Sequence, residues 1–236
     1  MNGLVKILLA FLFATGVTLA ADKPVAEAVY SPVDVALTTD PSSEFWQAAR
    51  PVYLERDTQG KDVQNFRTEV RIRWTKNNLY FLFICPYDKL YLKPSPKTTR
   101  ETNELWNWDV AEVFISANFT DIKRYQEFEV SPQGEWIDLD IDLNKPHHEV
   151  GWTWNSKFQN IASLDTAAHR WYAALWIPLS AIDQRPPAAG NTFRMNLFLS
   201  EGIPSNHHEV TWQPPMSNTF HVPERFGLLK LVEEKH

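Results

Sequence analysis

Hydrophobic and polar positions alternate with period two along most of this chain. Glu69-Val-Arg-Ile-Arg-Trp74 alternates strictly and sets Val70, Ile72 and Trp74 on one strand face. Lys76-Asn77-Asn78 reads as a turn. Leu79 to Cys85 then returns as a nearly continuous apolar run, the buried second arm of a hairpin. In Val110 to Ser116, Ala111, Val113 and Ile115 point to the core, and Val110, Glu112, Phe114 and Ser116 point the other way. Tyr125 to Val130 pairs with Glu135 to Leu143 through Ser131-Pro-Gln-Gly134, which has Pro and Gly where a tight turn needs them. Further strands are expected at 149–155, 158–164, 169–177, 192–200, 208–213 and 227–232, with helical turns at 43–49 and 178–182. Residues 88–103 are polar and rich in Pro and Thr, a long loop. Many short strands and few helices predict an all-β chain, a jelly-roll-like β-sandwich with a few short helical turns.

The N-terminus carries a different pattern. One charge, Lys6, precedes the uncharged apolar stretch Ile7 to Ala14, and small residues end at Val17-Thr-Leu-Ala20. That is the layout of a secretory signal peptide over residues 1–20, and the expected location is secreted or periplasmic. The run is short for a membrane span, and no other segment is apolar enough to cross one. The remainder, 21–236, shows no boundary and is read as one domain, with 22–38 a strand-bearing extension.

Charge narrows the partners. A net charge of −6 and a pI near 5.7 argue against nucleic acid and anionic membrane. There is no Gly-rich phosphate loop and no repeat. The lone Cys85 reads as a small core hydrophobe on a strand. Ten Trp are more than a core of this size readily absorbs, because each buried indole N–H needs an acceptor.

Three segments set aromatics beside carboxylates or amides on β-type sequence: Leu105 to Ile115, Phe128 to Gly134 and Trp212 to Gly227. Flat rings suit the C–H faces of a sugar, and carboxylates and amides suit its hydroxyls. Glu112 lies on the strand face turned from the core, and Trp106 lies in the run just before that strand. Trp152 and Trp154 share a face and read as core packing. Asp138, Asp140 and Asp142 share another, where like charges repel. Solvent or a Ca²⁺ ion would relieve them, and Asp138 and Asp140 are the calcium candidates, although the loop-type ligand spacing is missing. Neighbours on a strand point apart, so neither His147-His148 nor His207-His208 makes a metal clamp.

These residues resemble a known family. Asp40-Pro-x-x-x-Phe-Trp46, Trp74 to Tyr80, Trp108-Asp-Val-Ala-Glu-Val-Phe114, Phe128 to Gly134, Ile177-Pro-Leu179, Arg194-Met-Asn196 and Phe220 to Gly227 occur in the order of a family 9 carbohydrate-binding module, in its stand-alone, secreted form. The resemblance covers roughly residues 34 to 233. It implies a β-sandwich that binds soluble sugars or polysaccharide ends, often with structural calcium, and has no catalytic role. It also implies a clamp of two rings, Trp106 and Phe220, with Glu112 and Asn218 meeting hydroxyls. Trp108, Glu129, Asn196, Trp212 and His221 are further sugar-binding candidates. This chain departs from the pattern at Phe220, where Trp is usual, and at Glu129, where some members place a ligand-binding Arg. Leu199 and Ala174 stand where Arg and Glu are expected.

Three classes of function remain in view. The leading one is non-catalytic carbohydrate binding in support of polysaccharide catabolism, with a glycoside hydrolase as partner. The second is a glycoside hydrolase on a sandwich, using Glu112 with Glu127 or Glu129. Against it, these carboxylates are expected on an open, wet strand face with near-normal pKa values. The third is a haem-binding sandwich, for which Met195, Met216 and a His would have to serve as axial ligands.

Overall fold

The computed structural model describes residues 23–234. The signal-peptide expectation falls on residues outside that range. Twelve strands follow in order: β1 Val25–Tyr30, β2 Arg50–Leu54, β3 Thr68–Trp74, β4 Asn78–Pro86, β5 Val110–Ser116, β6 Arg124–Val130, β7 Trp136–Asp142, β8 Gln159–Asp165, β9 Arg170–Pro178, β10 Thr192–Glu201, β11 His208–Thr211 and β12 Gly227–Val232. The two helical turns are α1, Glu44–Gln47, and α2, Leu179–Ile182, where the sequence places them.

The strands form one hydrogen-bonded path, β7-β6-β5-β10-β12-β1-β3-β4-β9-β8, with β11 added to β10 and β2 to β3. Most pairings are antiparallel. The two that involve β1, with β12 and with β3, are parallel. The path folds over at this parallel hinge into a near-barrel sandwich. Val113, Ile115, Phe128, Met195 and Leu197 from one half meet Val70, Ile72, Phe81, Phe83 and Leu175 from the other in the main core.

Local sequence explains the layers. Leu79 to Cys85 reads as continuously apolar because both faces of β4 are covered. Leu79, Phe81, Phe83 and Cys85 join the main core, while Tyr80 and Leu82 pack with Trp46 in an outer cluster. Cys85 is buried there as a free thiol. β5 alternates as expected, Ala111, Val113 and Ile115 inward and Val110 and Phe114 into a second apolar cluster. The β6–β7 turn closes with Gly134 N–H donating to Ser131 O at 3.0 Å, and Gly134 has φ +80°.

Two local expectations differ from the structure. Residues 149–155 do not form a strand; His148–Thr153 is a 3-10 turn. Gly151 lets its backbone press on β7, where a Cβ would fall 2.2 Å from Asp140 O, and Trp154 turns onto Phe128 and the main core. β2 was not foreseen. It contains Pro51 and pairs within the sheet only with β3, an edge position that tolerates the missing N–H.

Candidate functional site

The second apolar cluster lies on the outer face of β7-β6-β5-β10-β11, and strand register decides which side chains share it. Phe198 of β10 stands opposite Glu112 of β5, Glu112 opposite Glu129 of β6, and Phe114 opposite Glu127. Glu127 in turn faces Leu139 of β7, and Ser200 faces Glu209 of β11. Carboxylates and rings therefore alternate across one surface.

Two loops roof this surface. The first contains a 3-10 turn, Leu105–Asn107, anchored by fully buried Leu105. Asp109 fixes its end by accepting hydrogen bonds from Tyr91 N–H at 2.7 Å and Gly202 N–H at 2.8 Å. Its carboxyl is pushed up to about 6, mainly by burial. Trp106 is thereby held half-buried against the apolar cluster. The second loop leads to the short 3-10 turn Pro223–Arg225. Met216 N–H donates to Thr58 O, Lys23 Nζ donates to the carbonyls of Glu224 and Phe226, and Tyr125 Oη lies 2.5 Å from His221 Nδ1. These ties set Phe220 over the strands, stacked on Phe198.

Between the loops lies a cleft of about 390 Å³. Its lining includes Trp106, Glu112, Phe114, Glu127, Ser200, His207, Glu209, Asn218, Thr219, Phe220 and His221. The structure thus brings together five of the residues singled out from sequence: Trp106, Glu112, Asn218, Phe220 and His221. Glu129 sits behind them, fully buried. Three others lie outside the cleft. Trp108 stacks on Tyr91 with centroids 4.6 Å apart. Asn196 is buried, its amide spent on Gln213 O, Gln213 N and Leu197 N. Trp212 packs over Gly227, where a Cβ would fall 2.6 Å from its ring.

The electrostatics overturn the expectation of an open, wet face. Glu112, Glu127 and Glu129 are at most 4% exposed, because the roofing loops and their rings exclude water. Burial holds the carboxyls of Glu112 and Glu129 well above the usual range, and neighbouring Glu127 pushes both further. Burial also pushes Glu127 up to about 7. Glu112 Oε1 accepts from Ser200 Oγ at 3.3 Å. No hydroxyl, amide or cation among the described residues reaches either oxygen of Glu129.

One carboxylate oxygen from each of these three glutamates lies within 4.8 Å of the others, a spacing that a metal ion can span. The calcium candidates chosen from sequence do not converge in this way. Asp138 is buried and accepts Ser156 N–H at 2.6 Å, so solvent does not relieve it, whereas exposed Asp140 accepts from Gln126 Nε2 at 3.1 Å. Of the adjacent histidines, His207 lines the cleft and His208 stacks on Phe66. Ser200 and Glu209 were missed in the sequence because no local motif marks them. They reach the site through the register of β10 with β11.

A family model described as carbohydrate family 9 binding domain-like matches residues 41–234. An extracellular protein of Arthroderma benhamiae is 24% identical over 219 residues, which are 87% of this chain and 97% of that protein. Endo-1,4-beta-xylanase A of Thermotoga maritima is 20% identical over 195 residues, which are 80% of this chain but 16% of the xylanase. Among solved structures, a family 9 carbohydrate-binding module from Caldicellulosiruptor kristjanssonii in complex with cellotriose has a TM-score of 0.61 at 14% identity, covering 90% of this chain and 95% of that one. A structure in complex with glucose gives the same TM-score.

Proposed function

The chain belongs to the carbohydrate family 9 binding domain-like family, and from that premise we propose that it binds carbohydrate, without catalysis, in the cleft between Trp106 and Phe220. The observation that carries this reading is the cleft itself: two loop-borne rings over a floor of hydrogen-bonding side chains. Rings hold a pyranose by its C–H faces, and Asn218, Thr219, Ser200 and Glu112 offer donors and acceptors for hydroxyls. The volume of about 390 Å³ suits one or two sugar rings rather than a long chain laid flat.

The carboxylates do not recast the site as a hydrolase. Glycosidic hydrolysis sets one carboxyl on each side of the scissile bond. Glu112, Glu127 and Glu129 instead converge on one point of the floor, with oxygens within 4.8 Å. As donors for a structural calcium they offer one oxygen each of the six to eight that Ca²⁺ takes.

Export is part of the proposal. It rests on the charged, apolar and small-residue order of residues 1–20, and it agrees with the extracellular name of the fungal relative. A role beside a glycoside hydrolase rests on the similar segment that forms 16% of the xylanase. The test is a calorimetric and glycan-array screen of the purified protein, repeated with Trp106→Ala. Binding to a glycan that survives this substitution unchanged would place the site elsewhere.

A further inference from the structure

The floor of the cleft holds more carboxyls than a neutral sugar can use. Glu112 and Glu127 line it, Glu209 flanks them on β11, and Glu129 closes the group from behind. No Lys or Arg among the described residues lines the cleft, and its two histidines include His221, already engaged by Tyr125. Glu129 is fully buried, with neither oxygen reached by a hydroxyl, amide or cation. Like charges set directly opposite on neighbouring strands, as Glu112 and Glu129 are, cost stability unless something positive or a proton stands between them.

A sugar hydroxyl gives one proton to one acceptor. A primary ammonium gives three, with a full charge. Acceptors at about 2.8 Å around a tetrahedral nitrogen stand about 4.6 Å apart. The three glutamate oxygens lie within 4.8 Å of one another. The surrounding rings of Trp106, Phe114 and Phe220 favour a cation by their faces as well as a pyranose.

Building on the sugar-binding reading, we infer that the cleft selects an amino sugar with a free amine, a hexosamine or its oligomers, whose ammonium seats on Glu112 and Glu127 with Glu129 behind. The neutral ring lies between Trp106 and Phe220. Without ligand, burial keeps protons on these carboxyls, so seating an ammonium expels them. The groups that set this balance are Glu112 on β5, Tyr125, Glu127 and Glu129 on β6, Glu209 on β11, and His207 and His221 on the loops. Arg194 acts more remotely, beside Tyr125.

The experiment is titration calorimetry of the purified protein at pH 6.5 with EDTA present. The ligands are glucosamine, a glucosamine oligomer, glucose and N-acetylglucosamine. The amines are expected to bind at least about 10-fold more tightly than either neutral sugar, a difference of about 1.4 kcal/mol. Their binding heat should vary between buffers of different ionisation enthalpy, the mark of proton release. Glu127→Gln should lower the amine-to-neutral ratio about 10-fold, and Glu112→Gln serves if thermal melting shows the first variant unfolded. Neutral sugars binding as tightly as amines would overturn the inference and leave the sugar site standing. Amine binding seen only when calcium replaces EDTA would overturn it in favour of a metal on the three glutamates. No binding of any sugar would bring down both readings.

Discussion

Phe220 lies flat on Phe198, with ring centroids 4.1 Å apart and planes within 7° of each other. Phe198 is fully buried and meets Phe114 edge-on at 4.9 Å. One face of Phe220 therefore belongs to the apolar cluster, and the other is left to the cleft. Trp106 is also half-buried, but it rides on a turn held by Leu105 and Asp109.

The two rings should consequently respond differently to truncation. Trp106→Ala should weaken sugar binding by about 30-fold or more, as for an aromatic hot spot, and shift the melting temperature little. Phe220→Ala should weaken binding and also lower stability by about 1–3 kcal/mol, because it strips a stacked partner from Phe198. Calorimetry and thermal melts on both variants check the contrast. Equal stability losses would mean that the two loops are anchored alike.

Glu112→Gln should separate binding from stability. A neutral amide cannot match the carboxylate that forms when a ligand ammonium displaces the Glu112 proton, so a loss on the order of 1–3 kcal/mol is expected for an amine ligand. Stability should move the other way at high pH. The folded protein holds Glu112 protonated against its ordinary ionisation, and Gln removes that constraint. At pH 4 the variant and the parent should melt together, and at pH 8 the variant should melt higher.

The same carboxyls govern stability against pH in the unaltered protein. Glu127 is raised to about 7 by burial, and burial also holds Glu112 and Glu129 well above their ordinary values. Below about pH 4.5 these groups are protonated whether the chain is folded or not, and they contribute no pH dependence. Above that, the unfolded chain releases protons that the folded chain retains, so stability falls as pH rises. Glu201, raised to about 7 by burial and nearby Asp109, adds to the fall. Urea midpoints measured from pH 5 to 8 should decline by an amount worth a few kcal/mol. A flat or rising profile would mean that the cluster is neutralised by something other than protons.

Period-two alternation was enough to read the sandwich, because each strand's inward set, such as Ala111, Val113 and Ile115, is written locally. Trp106 and Phe220 were picked out through the family resemblance, whose motifs are short and local, and the fold sets both rings on one cleft. What could not be read was cover. Glu127 and Glu129 alternate like a solvated strand face, and only the fold shows two distant loops closing over them. Nor does sequence reveal cross-strand partners such as Ser200 and Glu209. Asn196 and Trp212 looked like site residues by family position, yet one amide is consumed by backbone and one ring by Gly227.

Raised carboxyls at the floor of a sugar cleft are the usual equipment of a general acid, so absence of turnover is the sharper prediction. Hydrolysis needs an acid on the leaving oxygen and a second carboxylate across the anomeric carbon. Here all three glutamates stand on the adjacent strands β5 and β6 of one sheet, with one oxygen from each within 4.8 Å of the others. The loops over them present Trp106, Asn218, Thr219 and Phe220, none of which is a carboxylate, and the remaining lining glutamate, Glu209, stands on β11 of the same sheet. Incubation with β-glucans, xylans, mannans, α-glucans and glucosamine polymers should therefore yield no new reducing ends at pH 5 to 8. Turnover that disappears in Glu112→Gln or Glu127→Gln would show that the converging glutamates part on binding substrate, and would make the cleft an active site.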